Sequence, residues 1–154
     1  MIPKNVAAVL QQYNLSVLQF EEGSTPTAET AAEKIGVAVG QIAKSMLFRT
    51  KDGYRCLVVC AGDLKVNSSK LKQLTGRKMS MASAEETEEA TGYKPGGVCP
   101  FGLPEDMPVF IDISLKSYDT VYPAAGTDST GVPTTFAQLL KIAEGRVCDV
   151  MRKE

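Results

Sequence analysis

The sequence predicts an α+β domain, with a mixed or mostly antiparallel, strongly curved β-sheet flanked by helices. Three observations predict it. Several apolar runs that read as strands come as neighbouring hairpins rather than in strict βαβ alternation. Segments of helical period, most with their own caps, are interspersed with those runs. The 154 residues contain no repeat, low-complexity tract or linker, so one domain spanning 1–154 is expected.

Val6, Val9, Leu10 and Tyr13 recur at helical spacing and predict an amphipathic helix over residues 4–14. A short strand over 16–20 carries Val17 and Leu18. Thr27 can cap a helix from Ala28 to Ile35, and Gly36 can stop it. The hydroxyls of Ser24-Thr25-Pro26-Thr27 are either a plain turn and cap or part of a pocket wall. Residues 41–49 lead from a turn into a strand, Asp52-Gly53 signals a hairpin, and Tyr54 to Cys60 returns. Period two puts Lys44, Met46 and Phe48 on one strand face. A lysine there either reaches solvent at the strand end or faces an opening.

Asn67 caps a basic helix, Ser68 to Thr75, stopped by Gly76. Lys65, Lys70, Lys72, Arg77 and Lys78 gather positive charge there, which suits phosphates or an ordinary solvated face. Ser83-Ala84-Glu85-Glu86 is a capping box opening a helix that ends at Gly92. Strands are predicted at 108–113 and from Thr120, with a small-residue turn over 124–131 that can approach a ligand closely. Thr134 or Thr135 caps a last helix with Phe136, Leu139, Leu140 and Ala143 on one face. Gly145 ends it, and 146–150 is a closing strand.

Composition excludes several function classes. Histidine is absent, which removes Ser-His and Cys-His dyads, imidazole bases and histidine metal ligands together. Any catalysis must come from lysine, carboxylates, backbone amides or the substrate. Cys56, Cys60, Cys99 and Cys148 are scattered through apolar segments and read as buried free thiols, with no metal site. A net charge of −1 argues against a strongly cationic nucleic-acid binder. No apolar run is long enough to cross a bilayer, and Met1 to Asn5 lacks signal-peptide features, so a cytoplasmic protein is expected.

The most unusual stretch is Thr91-Gly92-Tyr93-Lys94-Pro95-Gly96-Gly97-Val98-Cys99-Pro100-Phe101-Gly102-Leu103-Pro104. Its glycines and prolines rule out helix and an uninterrupted strand, yet it carries apolar side chains that a solvated linker would not need. It is either a pocket-lining loop that offers backbone N–H donors or a connector packed over a sheet end.

Three pieces, in this order and spacing, resemble one family: Ser24-Thr25-Pro26-Thr27 before a helix, Ile42-Ala43-Lys44-Ser45-Met46-Leu47-Phe48, and the loop from Thr91 to Gly102. They look like the YbaK domain, also called the prolyl-tRNA-synthetase-associated or bacterial insertion editing domain. The resemblance implies a curved, partly barrel-like mixed sheet surrounded by helices. It also implies a freestanding trans-editing deacylase that hydrolyses mischarged aminoacyl-tRNA, commonly tRNA for proline, without a cofactor, a membrane or DNA. Prolyl-tRNA synthetase stays open as a partner.

By that resemblance Lys44 matches the family's recurring lysine, and Gly96 to Pro100 its Gly-x-x-x-Pro loop. Backbone amides of Gly96, Gly97 and Val98 would hold the ester carbonyl, and Lys44 the terminal adenosine. The substrate's ribose hydroxyl would help to activate water. Phe20, Thr25, Thr27, Met46, Val98 and Phe101 become wall candidates, joined by Cys99 and Pro100 of the loop and by Ala125 and Gly126 of the turn. Lys65, Lys70 and Lys72 would meet tRNA. Cys99 lacks a visible base and reads as a small lining residue rather than a nucleophile. Pro133 stands near the place where some members carry a carboxylate. The alternative is a non-catalytic module that binds a nucleotide or a tRNA end, in association with a synthetase or without one.

Overall fold

The computed structural model describes residues 2–104 and 106–152. In chain order it contains α1 (Lys4–Gln12), β1 (Leu18–Gln19), α2 (Ala28–Ile35), β2 (Ala43–Arg49), β3 (Arg55–Ala61), α3 (Ser68–Thr75), β4 (Ser80–Met81), α4 (Ala84–Thr91), β5 (Val109–Asp112), β6 (Thr130–Gly131), α5 (Phe136–Ile142) and β7 (Arg146–Cys148). Short 3-10 turns occupy Val39–Gln41 and Ile113–Ser117. The α+β class is as expected. Among the described residues no helix is long and apolar enough to cross a membrane.

Five strands form one mixed sheet in the order β4-β2-β3-β5-β7. β2 pairs antiparallel with β3 and β4, whereas β3, β5 and β7 run parallel. β1 and β6 make a separate antiparallel pair. Bridges between Ile42 and Tyr122 and between Val121 and Thr134 extend the pairing from β2 toward that pair. Neither sheet closes on itself, so the barrel-like closure that the resemblance implied is not seen among the described residues. The strand expected from Thr120 is present only as these bridges.

Local chemistry explains most of the helix ends. Thr27 and Thr30 cap α2 reciprocally, as do Ser83 with Glu86 on α4 and Thr135 with Gln138 on α5. The Asn67 side chain accepts the Lys70 N–H at the start of α3. Glu86 accepts the Ser83 N–H and the Arg49 guanidinium, and these bonds hold its carboxyl below the usual range.

β3 is buried along Cys56–Ala61 without alternation, because both faces of the sheet are covered. Leu57, Val59, Val109 and Ile111 pack on one face with Val6, Leu10, Phe101 and Leu139. Phe48, Cys56, Val58, Cys60 and Phe110 pack on the other with Leu71 and Val150. All four cysteines are buried and free.

Candidate functional site

The site begins with an interruption in strand pairing. β4 covers the edge of β2 only at Phe48 and Arg49, with Ala82 N–H adding a bond to Leu47 C=O (2.9 Å). At its other end β2 is held by Ala43 N–H on Tyr122 C=O (3.1 Å). Between these two bonds the edge is open, and a cavity of about 290 Å³ lies over it. Its walls are Thr25 to Ala28, Ala31 and Ile35 on the α2 side, Ala43 to Leu47 on β2, and Met81, Ala82, Ala84 and Thr87 around α4. Pro95, Gly96 and Val98 of the loop, with Tyr122, Ala124 and Thr130, complete the lining.

Lys44 is the only charged residue among the described lining residues. Its ammonium donates to Leu64 C=O (2.5 Å), so a fixed cation sits beside mostly apolar walls. Two hydroxyls in the lining, those of Thr25 and Ser45, are buried and lack a hydrogen-bond partner. Thr25 is only 3% exposed. Unpaired buried polar atoms are uncommon in folded proteins and mark a place where a ligand can supply the missing partner.

The loop after α4 is tied down from outside the cavity. Asn5 of α1 donates to Gly102 C=O (2.7 Å) and to the Tyr93 hydroxyl (2.9 Å), and that hydroxyl donates to Phe101 C=O. Burial raises the Tyr93 phenol well above its ordinary range. Gly97 N–H closes a turn onto Lys94 C=O (2.9 Å). Gly96 adopts φ +88°, and a Cβ there would meet Pro26 backbone and Asp128 Cβ at 3.0 Å. Asp128 links this region to the turn before α2: its carboxylate accepts Gly23 N–H (3.2 Å) and its carbonyl accepts Thr25 N–H (2.7 Å).

A family model for the aminoacyl-tRNA editing domain matches residues 22–142. The chain belongs to that family. The protein YwhH of Bacillus subtilis (strain 168) is 41% identical over 146 residues, covering 94% of this chain and 92% of the relative. A proline–tRNA ligase of Bacillus licheniformis is 34% identical over 143 residues, which cover 82% of this chain and 24% of the ligase. The chain thus spans about a quarter of that ligase's length. The crystal structure of a proposed trans-editing enzyme for prolyl tRNA synthetase superposes with a TM-score of 0.88 at 30% identity, covering 99% of this chain and all of the other.

In this editing domain the expected site residues divide into two groups. Thr25, Thr27, Lys44, Met46, Gly96 and Val98 line one cavity. Gly97, Cys99, Pro100, Phe101, Ala125 and Gly126 do not. Cys99, Phe101 and Ala125 belong to the core, and Gly97 is buried against Gly126 and Thr127. Phe20 also lies outside the lining, its N–H bonded to Ser129 C=O (2.8 Å). With the Gly97 N–H already bonded to Lys94, the loop donors that can serve the cavity narrow to Gly96 and Val98. Lys70 is bound to Met151 C=O (3.1 Å) and lies 3.8 Å from Asp149, whereas Lys65 and Lys72 are exposed.

The sequence leaves Ser45, Tyr122 and the Met81–Thr87 wall unmarked, whereas Ala124 and Thr130 fall in the small-residue turn expected to approach a ligand. Ser45 was the most findable, as the neighbour of a lysine on a strand whose other small residue is Ala43.

Cys99 is fully buried, and burial pushes its thiol up to about 12. Such a group cannot supply a thiolate near neutrality. Cys99→Ala is therefore expected to keep the rate of amino-acid release within about twofold, at a stability cost of about 1 kcal/mol from the vacated volume. Measured deacylation and thermal unfolding check it; a hundredfold slower variant of normal stability contradicts it.

Proposed function

We propose that this editing domain acts in trans as a deacylase, hydrolysing the ester of mischarged tRNA, with tRNA for proline as its main target. The observation that carries the reading is one small cavity whose lining brings together the Lys44 ammonium, Gly96 and Val98 of the loop, and the unpartnered hydroxyls of Thr25 and Ser45. The prolyl ligase relative and the trans-editing structural neighbour support the choice of tRNA.

An aminoacyl ester is already an activated bond, so positioning and charge stabilisation suffice. Lys44 anchors the terminal adenosine, and Gly96 and Val98 N–H groups point toward the ester carbonyl. Water attacks the carbonyl carbon, aided by the neighbouring ribose hydroxyl. The bond from that carbon to the ribose oxygen breaks, the oxygen takes a proton, and the free amino acid leaves as a carboxylate. No protein nucleophile takes part. Lys65 and Lys72 face the acceptor-stem phosphates; Lys65 directly follows Leu64, whose carbonyl holds Lys44.

Release of amino acid by the purified protein from a panel of mischarged tRNAs tests the proposal. Hydrolysis of at least one small mischarged amino acid on tRNA for proline, with cognate prolyl-tRNA spared, is expected. Failure to release any amino acid from the whole panel overturns it.

A further inference from the structure

We propose that the open edge of β2 at Ser45 is the subsite for the aminoacyl group, which docks there as one added residue of a strand. The inference rests on the editing reading and specifies how the substrate's amino acid is held.

The argument follows from alternation along the strand. Ala43 N–H bonds Tyr122 and Leu47 C=O bonds Ala82, so both residues turn their main-chain polar groups away from β3. In an antiparallel pair, residues alternate between those facing the partner and those facing away. Lys44 and Met46, opposite Cys60 and Val58, therefore face β3, and Ser45, opposite Val59, faces away. Leu57, opposite Leu47, confirms the parity, because its N–H goes to Pro108 on the other side.

Ser45 thus presents both its N–H and its C=O to the gap between Tyr122 and Ala82, where the cavity lies. Its hydroxyl is also buried and unpartnered. One residue consequently offers a donor, an acceptor and a hydroxyl in a pocket whose other walls are largely apolar.

An α-amino ester carries a donor, its ammonium, and an acceptor, its carbonyl, on either side of one carbon. That is the arrangement of a residue in a hydrogen-bonded antiparallel pair, the geometry used when extended peptides add to a sheet edge. The ammonium donates a hydrogen bond to Ser45 C=O, and Ser45 N–H donates one to the ester carbonyl. The carbonyl then has one donor from the strand and one from the loop at Gly96 or Val98. Because Gly97 N–H is engaged with Lys94, the strand supplies a donor that the loop cannot. A substrate whose α-ammonium is replaced by a neutral donor keeps the pairing without its charge-assisted bond.

Two measurements test the subsite. The first compares wild-type binding of 3′-deoxy-3′-(L-alanylamino)adenosine with its N-acetyl and lactyl counterparts. Each counterpart keeps only a neutral donor at that position, so replacing a charge-assisted hydrogen bond by a neutral one is expected to weaken binding about 5-fold. The second replaces Ser45 by its α-hydroxy acid, which turns the N–H into an ester oxygen and removes no donor of the β2–β3 ladder; Lys44 C=O, opposite Cys60, becomes a weaker ester acceptor, so thermal unfolding is measured in parallel. A similar loss for the alanyl probe is expected, together with slower release of amino acid. Equal affinities for the three probes, or an α-hydroxy variant indistinguishable from wild type, overturn the subsite. If wild type and Lys44→Ala differ in deacylation as expected while the probes bind equally, the subsite alone falls. If the probes discriminate but no charged tRNA is hydrolysed, the subsite stands and the deacylase reading falls.

Discussion

Lys44→Ala is expected to lower kcat/KM for deacylation about 100-fold, the scale of removing one preorganised electrostatic contact from a reaction centre. The size follows from the surroundings of the ammonium. It is the only charge among the described residues that line the cavity, its neighbours there are mostly alkyl groups, and Leu64 C=O holds it in place. Water screens a charge in such a place far less than one at the surface, so its removal is felt fully by an anionic phosphate or a developing oxyanion. No second cation in the lining can substitute.

The fold should hardly notice. Lys44 is half-buried at the start of β2, its main chain stays paired with Cys60, and the loss is one side-chain hydrogen bond. Such a bond contributes about 1 kcal/mol, which at this chain length lowers Tm by roughly 2–4 °C. Lys44→Arg keeps the charge but replaces a compact ammonium with a planar fork, so an intermediate loss of about 10-fold is expected. Single-turnover release from mischarged tRNA, with calorimetry in parallel, reads both numbers. An alanine variant as active as wild type would sink the proposed role of Lys44.

The helices were legible because their ends carry local chemistry. Thr27, Asn67, Ser83 and Thr135 cap α2 to α5, and Gly36, Gly76 and Gly92 end three of these helices in left-handed backbone. The β2–β3 hairpin was legible for the same reason, through Asp52-Gly53. β4 and β6 were not, since two residues cannot display a period; they are strands only because Phe48 and Gln19 lie opposite them. The same reasoning explains the partly barrel-like sheet, an expectation about long-range closure that no local signal carries. Pairing leaves the start of β2 through Tyr122 and stops short of a closed ring.

The candidate site follows the same division. Lys44 stood out as a charge on an apolar strand face and Gly96 as part of a glycine- and proline-rich loop with apolar side chains, and both line the cavity. Cys99 and Phe101 share that loop but pack into the core, because an apolar side chain in a loop reads alike whichever way it points. Ser45 acquires its place from what does not pair with it. The gap between Tyr122 and Ala82 is a property of three distant segments, invisible in the strand itself.

Gly97→Ala tests how the loop is seated and carries the second-largest expected effect. A Cβ at Gly97 would lie 2.8 Å from Gly126 C and Thr127 N and 2.9 Å from Gly126 O, all of them backbone atoms that cannot rotate aside. The loop and the turn must separate, and Gly96 and Val98 move with the loop. Overpacking of this kind costs about 1–3 kcal/mol. Displacing a positioning group by about 1 Å can cost about 100-fold in rate. The variant is therefore expected to lose roughly 2–10 °C in Tm and about 100-fold in deacylation. Gly97 does not have positive φ, so contact rather than backbone strain is responsible. Gly53→Ala supplies the control. Gly53 has φ +96° in the β2–β3 hairpin with nothing within 4 Å of a new Cβ, so it loses stability through strain alone, on the order of 1 kcal/mol. It should deacylate normally when assayed below its own Tm. If both variants slow equally, the rate follows global stability. If Gly97→Ala alone slows, the fit between Gly97 and the Gly126–Thr127 backbone positions the loop for its task.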